Sequence, residues 1–121
     1  MNEKEMIENI IEWILEKKGE DIVIIDMERD ILVDSFIIAS TGSKPHLEAL
    51  SENIISKIKE YSLPYRVDGT AESEWVVIDL GIYMIHLFTD RMRRLYKIEE
   101  LGKVREGFKI KNADTNLLKP R

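Results

Sequence analysis

The sequence predicts an α/β fold, one domain built on a mixed sheet of about five strands flanked by helices. Three observations lead there. Two long segments, after Asn2 and after Ser43, repeat apolar residues at helical spacing. Two short β-branched runs, around Ile24 and Ile37, lie between those helices, and two more around Val77 and Ile85 flank a Leu-Gly pair as a hairpin would. The 121 residues are one domain's worth of chain and enough to bury a core without disulfides or a structural metal.

Taken in order, Asn2 with Glu5 reads as a capping box opening the first helix. Met6, Ile7, Ile10, Ile11, Ile14 and Leu15 form its apolar stripe, opposite Glu8, Glu12 and Glu16. Lys17 and Lys18 suit the negative end of the helix dipole, and Gly19 is expected to stop the helix in the left-handed conformation. Ile22-Val23-Ile24-Ile25 predicts a strand buried on both faces, Glu28-Arg29-Asp30 a turn, and Phe36-Ile37-Ile38-Ala39-Ser40 a second buried strand. These two should form the centre of the sheet. Ser43 caps the second helix, Pro45 sits harmlessly in its first turn, and Leu47, Leu50, Ile54, Ile55 and Ile58 face inward until the chain approaches Pro64. A short strand near residues 65–67 and a turn at Asp68-Gly69 follow. The hairpin comes next. Asp90 is expected to cap a short helix ending near Tyr96, with one more turn at residues 98–101. The domain is placed at residues 1–101, with 102–121 a basic C-terminal extension.

Composition narrows the function. There are no cysteines, which excludes thiol chemistry and Cys-ligated metals and fits a reducing compartment. The acidic, amphipathic start reads as neither a signal nor a transit peptide, and no apolar run reaches membrane-spanning length, so a cytoplasmic protein without a membrane partner is expected. The net charge of −5 hides a division. Residues 1–90 carry 8 Lys+Arg against 19 Asp+Glu, or −11, and residues 91–121 carry 10 against 4, or +6. A basic end suits an anionic partner, or is simply a solvated tail.

No active site is legible. There is no Walker A motif, no G-x-G-x-x-G and no metal-ligand spacing, so no catalytic residue, metal or cofactor is expected. Gly42-Ser43 could bind an anion at a helix N-terminus, as in nucleotidyltransferases, but no strand carries their paired acids, and Ser43 reads rather as a plain cap. The hairpin is more informative. With Leu80-Gly81 as the loop, Trp75 pairs with His86, Val77 with Met84 and Asp79 with Ile82. Val76, Ile78, Tyr83, Ile85 and Leu87 then face the core, and the opposite face mixes an aromatic, a carboxylate and an imidazole. Two readings stay open: a contact surface, or a Trp75 covering a loop beside a satisfied, half-buried His86. Residues 91–99 interleave cations with Tyr96. They read either as a contact segment or as a capping helix whose Leu95 and Ile98 pack down.

One ordered set of residues carries a resemblance. It comprises Asp21 to Asp26, Val33-Asp34-Ser35-Phe36, His46, Asp68-Gly69, Trp75-Val76-Val77-Ile78-Asp79-Leu80-Gly81, His86, and Arg93-Arg94-Leu95-Tyr96 followed by Glu99. Together they resemble the ribosomal silencing factor (Iojap) family over roughly residues 5–101. The resemblance implies a nucleotidyltransferase-like fold without catalysis. It implies a translation repressor that binds the large ribosomal subunit through ribosomal protein L-fourteen, sterically blocks joining of the small subunit and forms a homodimer. It places the partner-binding residues at Trp75, Asp79, His86, Arg93, Tyr96 and Glu99. Two positions depart from the family pattern: Gly102 stands where a Trp is usual, and Ser43-Lys44-Pro45-His46 replaces a Ser-Ser-Arg-His type of stretch. The rival expectations are a small nucleotidyltransferase-like nucleotide-binding enzyme centred on Gly42-Ser43 and an RNA-binding module using the basic tail, which could contact ribosomal RNA in either case.

Overall fold

A computed structural model describes residues 1–27 and 33–105. The elements run α1 (Glu3–Glu16), β1 (Glu20–Asp26), β2 (Ser35–Thr41), α2 (Lys44–Glu60), β3 (Arg66–Asp68), β4 (Trp75–Asp79), β5 (Tyr83–Thr89), α3 (Asp90–Tyr96) and β6 (Lys103–Val104). Short 3-10 helices occupy Ala71–Ser73 and Ile98–Leu101. The order of helices and strands is the expected one up to α3. The turn expected at residues 28–30 and most of the basic tail lie outside the described residues.

The sheet has six strands in the order β3-β4-β5-β2-β1-β6. Among the described residues only β2 and β5 pair in parallel; the other neighbours are antiparallel. The centre is therefore β5 and β2. β1, expected there too, lies one strand further out, and its outer edge is covered by β6. It is still apolar on both faces, because helices cover one side of the sheet and the chain after β5 returns over the other.

One face is sealed by α1 and α2. Ile7, Ile10, Ile11 and Ile14 meet Leu47, Leu50, Ile54 and Ile58 over Ile22, Ile24, Ile37, Ala39, Val76, Ile78, Ile85 and Leu87. Trp13, outside the expected stripe, is buried here as well. Polar side chains of α2 tie the helices together. The His46 ring Nε2 bonds the Lys17 carbonyl, and Asn53 Nδ2 donates to the Trp13 carbonyl at 2.9 Å. His46, one of the residues that carried the family resemblance, thus serves an orphan carbonyl at the end of α1.

Both long helices end alike. The Lys18 and Gly19 N–H groups donate to Leu15 and Ile14 carbonyls, and those of Ser62 and Leu63 to Lys59 and Ile58. These are Schellman endings. The left-handed residues are Lys18 (φ +57) and Ser62 (φ +55), so Gly19 does not play the part expected of it.

The hairpin turn also differs from expectation. The Leu80 N–H donates to the Tyr83 carbonyl at 2.8 Å, so the loop is Gly81-Ile82. Gly81 takes φ +94 at the first loop position, which a mirror-image two-residue turn reserves for glycine. The Asp79 carboxylate accepts the Gly81 N–H at 2.8 Å and fixes the turn there. Sliding the loop by one residue moves each partner by two. Trp75 pairs with Phe88, Val77 with His86 and Asp79 with Met84. A shift of two leaves every side chain on its face, which is why the two faces of the hairpin follow from the sequence despite the wrong register, although His86 of the outer face is buried.

The chain continues as ordered structure past Leu101. Gly102 packs against β1, where a Cβ would lie 2.4 Å from the Asp26 carbonyl oxygen, and β6 then pairs with Ile25 and Asp26. Arg105 donates to the Ile24 carbonyl through its backbone and through its guanidinium to Asp26 and Ser35. That guanidinium holds the Asp26 carboxyl below the usual carboxylate range.

Candidate partner-docking site

The second face of the sheet is only partly covered. Val23, Ile25, Ile38 and Phe88 are roofed by Ile98 from the chain beyond α3, with Trp75, Phe36, Met27 and Met92 packed at the margin. Towards the hairpin, Val77, Asp79 and Met84 are half-buried on this same face.

Trp75 organises the margin. It is the first residue of β4, and its indole lies between Phe88 of β5 (ring centroids 4.8 Å apart) and Tyr96 of α3 (5.0 Å). The rings are tilted by 33° and 43°. The indole Nε1–H donates to His86 Nδ1 at 3.0 Å. Tyr96 is 52 % exposed, so the pair presents an aromatic surface with one wet end. Between β3 and α3 it lines a hollow with Asp68, Val77 and Met92.

His86 does not reach that surface. It is 5 % exposed, with the Phe36 ring at 4.3 Å and Phe88 at 6.3 Å. Burial pushes its pKa down to about 4, because the apolar surroundings disfavour the charged imidazolium. Since Nδ1 accepts from the indole, the ring proton sits on Nε2, which meets no acceptor among the described residues.

Arg93 and Glu99 are likewise turned inward. The Arg93 side chain is 10 % exposed; Nε donates to Glu99 Oε2 at 3.2 Å and Nη1 to Ser40 Oγ at 3.2 Å. This closes a staple around Lys97, whose left-handed backbone (φ +36) turns α3 into the following 3-10 helix. Ile98 packs down as one reading anticipated, but Leu95 is 65 % exposed beside Tyr96. The cap of α3 is Thr89, whose Oγ1 accepts the Met92 N–H at 3.3 Å, rather than Asp90.

Asp79 stands apart. It lies four residues along β4 from Trp75, about 13 Å at the rise of a strand. It braces the turn and faces Arg66 at 3.6 Å. Four of the six expected residues, Trp75, His86, Tyr96 and Arg93, therefore gather at one end of this face. Glu99 joins through Arg93, and Asp79 marks the other end.

The crevice at the carboxyl ends of the parallel strands β2 and β5 is where an α/β sheet usually holds a ligand. Here Ser43 Oγ accepts the His46 N–H as an ordinary N-cap. Glu74 reaches across, accepting from Thr89 Oγ1 at 2.9 Å and pairing with Arg91, which together hold its carboxyl below the usual range. Among the described residues no group of three or more His, Asp or Glu could hold a metal ion, and no helix is long and apolar enough to cross a membrane.

A family model described as "Ribosomal silencing factor during starvation" matches residues 1–118. The chain belongs to the ribosomal silencing factor family. It is 31 % identical over 103 residues to ribosomal silencing factor RsfS of Bacillus subtilis, covering 84 % of this chain and 87 % of that protein. It is also similar to the mouse protein named mitochondrial assembly of ribosomal large subunit protein 1, at 27 % over 104 residues, 82 % of this chain and 46 % of that one. A crystal structure of a Chromobacterium violaceum protein superposes with a TM-score of 0.78 at 28 % identity, covering 89 % of this chain and 92 % of that one. The mixed-sheet α/β architecture is thus shared with a solved structure.

Within this ribosomal silencing factor fold, sequence reasoning missed the residues that hold the site from behind. Phe88 was legible, since it follows His86 on the same strand face at a spacing of two. Ser40, Phe36 and Glu74 were not, because only the pairing of distant strands and the return of the chain bring them to Arg93, His86 and Thr89.

Proposed function

We propose that this chain represses translation by seating on the large ribosomal subunit through ribosomal protein L-fourteen, so that the occupied face can no longer join the small subunit. The half-buried Trp75, stacked on the exposed Tyr96, carries this reading. Two aromatic rings on a rigid scaffold, with an uncovered apolar strip beside them, are the kind of anchor that dominates an interface. Membership of a family of ribosomal silencing factors supports the ribosome as the partner. The name of the mouse relative supports the large subunit.

Trp75 and Tyr96 touch the partner, Leu95 extends the apolar strip, and Asp68 and Asp79 offer carboxylates to a basic protein surface. His86, Arg93 and Glu99 contribute from within. Repression is by occupancy, without catalysis, so the factor must outcompete the small subunit by mass action. It acts in the cytoplasm, and a homodimer in solution fits the apolar strip. The basic residues beyond Arg105 add an electrostatic contact to ribosomal RNA.

Co-sedimentation with purified large subunits tests the reading. The wild-type chain is expected to pellet with them and to lower subunit joining, and Trp75→Ala with Tyr96→Ala to abolish both. If the double variant blocks joining as well as the wild type, the assignment is wrong. Removing residues 106–121 should weaken binding most at low salt.

A further inference from the structure

We propose that His86 is a positioning residue: its neutral imidazole accepts the Trp75 indole N–H and so fixes the plane in which Trp75 is offered to a docking partner. This rests on the docking reading of the Trp75–Tyr96 surface and assigns the device that presets it.

The geometry is specific. A tryptophan at the margin of a sheet has two soft side-chain torsions, and freezing them on binding costs affinity. Phe88 and Tyr96 contact the indole with ring centroids at 4.8 and 5.0 Å, tilted by 33° and 43°, and neither ring contact is directional in the way a hydrogen bond is. Rotation is set by the one directional contact, Nε1–H to Nδ1 at 3.0 Å. Trp75 can donate only through Nε1, and a neutral histidine accepts through one nitrogen only.

The acceptor is itself immobile. His86 lies in β5, next to the central strand β2, with its ring against Phe36 and its Nε2 out of reach of any acceptor among the described residues. An imidazole with both nitrogens satisfied would be ordinary core structure. This one leaves a polar N–H buried without compensation while spending its other nitrogen on the half-exposed indole. A phenylalanine would fill the same space among Phe36 and Phe88 without that penalty. What it could not do is accept a hydrogen bond.

The test compares His86→Phe, which keeps a ring and removes the acceptor, with His86→Asn, whose side-chain oxygen can stand where Nδ1 stands. The first readout is the Trp75 indole N–H in nitrogen-15 spectra of the full chain, assigned by its loss in Trp75→Phe. In His86→Phe this proton should exchange with solvent up to roughly tenfold faster and its resonance should move towards that of a free indole. His86→Asn should restore protection. The second readout is co-sedimentation with large subunits: about tenfold weaker binding for His86→Phe, and recovery to within about twofold for His86→Asn. The proposal is overturned if the indole proton is equally protected in both variants, or if both lose affinity alike, which would mark His86 as packing alone. If the wild-type chain does not bind large subunits, the ribosome reading fails. The indole readout then decides the positioning role on its own, for it if protection follows the acceptor and against it otherwise.

Discussion

Replacing His86 should remove a large part of the acid sensitivity of this fold. In the folded chain the imidazole titrates near 4 because it is buried, and in the unfolded chain near the ordinary 6.5. Between those values the unfolded chain holds a proton that the folded chain does not, so falling pH favours unfolding. The stability lost is RT times the logarithm of the ratio of the two protonation terms. At pH 7 that ratio is close to one. At pH 4.5 it corresponds to roughly 2–3 kcal/mol, and the full separation of the two values would give about 3 kcal/mol at lower pH. For a chain of 121 residues this is a sizeable share of the total stability.

Other groups titrate too. The Asp26 and Glu74 carboxyls are held low by Arg105 and Arg91, so they also cost stability as they protonate, and they do so in every variant. The measurement is therefore a difference of differences. Urea unfolding, followed by far-ultraviolet circular dichroism at fixed protein concentration, gives the stability at pH 7 and at pH 4.5 for the wild type and for His86→Asn, which has no group titrating there. The wild type should lose roughly 2–3 kcal/mol more than the variant over that interval. A difference of less than about 0.5 kcal/mol would mean that His86 is solvated or partnered when charged, and the description of its burial would be wrong.

Three further outcomes follow from the backbone. Gly102→Ala places a Cβ against the Asp26 carbonyl and should cost about 1–3 kcal/mol or detach β6, seen as faster exchange of the Arg105 amide. Ser62→Gly relieves a left-handed residue at the end of α2 worth about 1–2 kcal/mol, partly offset by added freedom in the unfolded chain, for a net gain near 0.5 kcal/mol in urea unfolding. Thr89→Ala removes the cap of α3 and a partner of Glu74 and should lower stability by about 1 kcal/mol, whereas Asp90→Ala should change it by less.

The sequence was most readable where one periodicity governs. The apolar stripes of α1 and α2, the doubly buried β2 and the alternation along β4 and β5 follow from side-chain spacing, and the structure has them. It was least readable where two candidates of equal chemistry compete. Leu80-Gly81 and Gly81-Ile82 are both acceptable two-residue loops, and the choice is made by the Asp79 carboxylate reaching the Gly81 N–H. Lys18 and Ser62 carry the left-handed turns because the hydrogen-bond pattern ending each helix demands the conformation, whatever residue stands there. At the candidate site, Trp75 and Tyr96 were visible as an aromatic on a mixed face and an aromatic among cations. A half-buried His86 was one of the two readings open for that face; the burial of Arg93 was not visible, since it depends on how the chain after β5 folds back over β2.

That return explains how a small helix can present apolar groups to the outside. A seven-residue helix has no stability of its own, and α3 buries none of its residues fully. Had Leu95 and Tyr96 been used to anchor it, they would not be available to a partner. Beside Met92, which packs at the margin of the second cluster, polar contacts hold it: Thr89 at its start, Arg91 on Glu74, and Arg93 on Ser40 and Glu99. Arg93 is mostly shielded from water, so salt should screen its pairing with Glu99 weakly. Arg93→Ala is therefore expected to weaken docking by releasing Tyr96, with a loss that varies little with ionic strength. A partner contact made directly by an exposed arginine would give a loss that shrinks steeply as salt rises, and that result would place Arg93 in the interface itself.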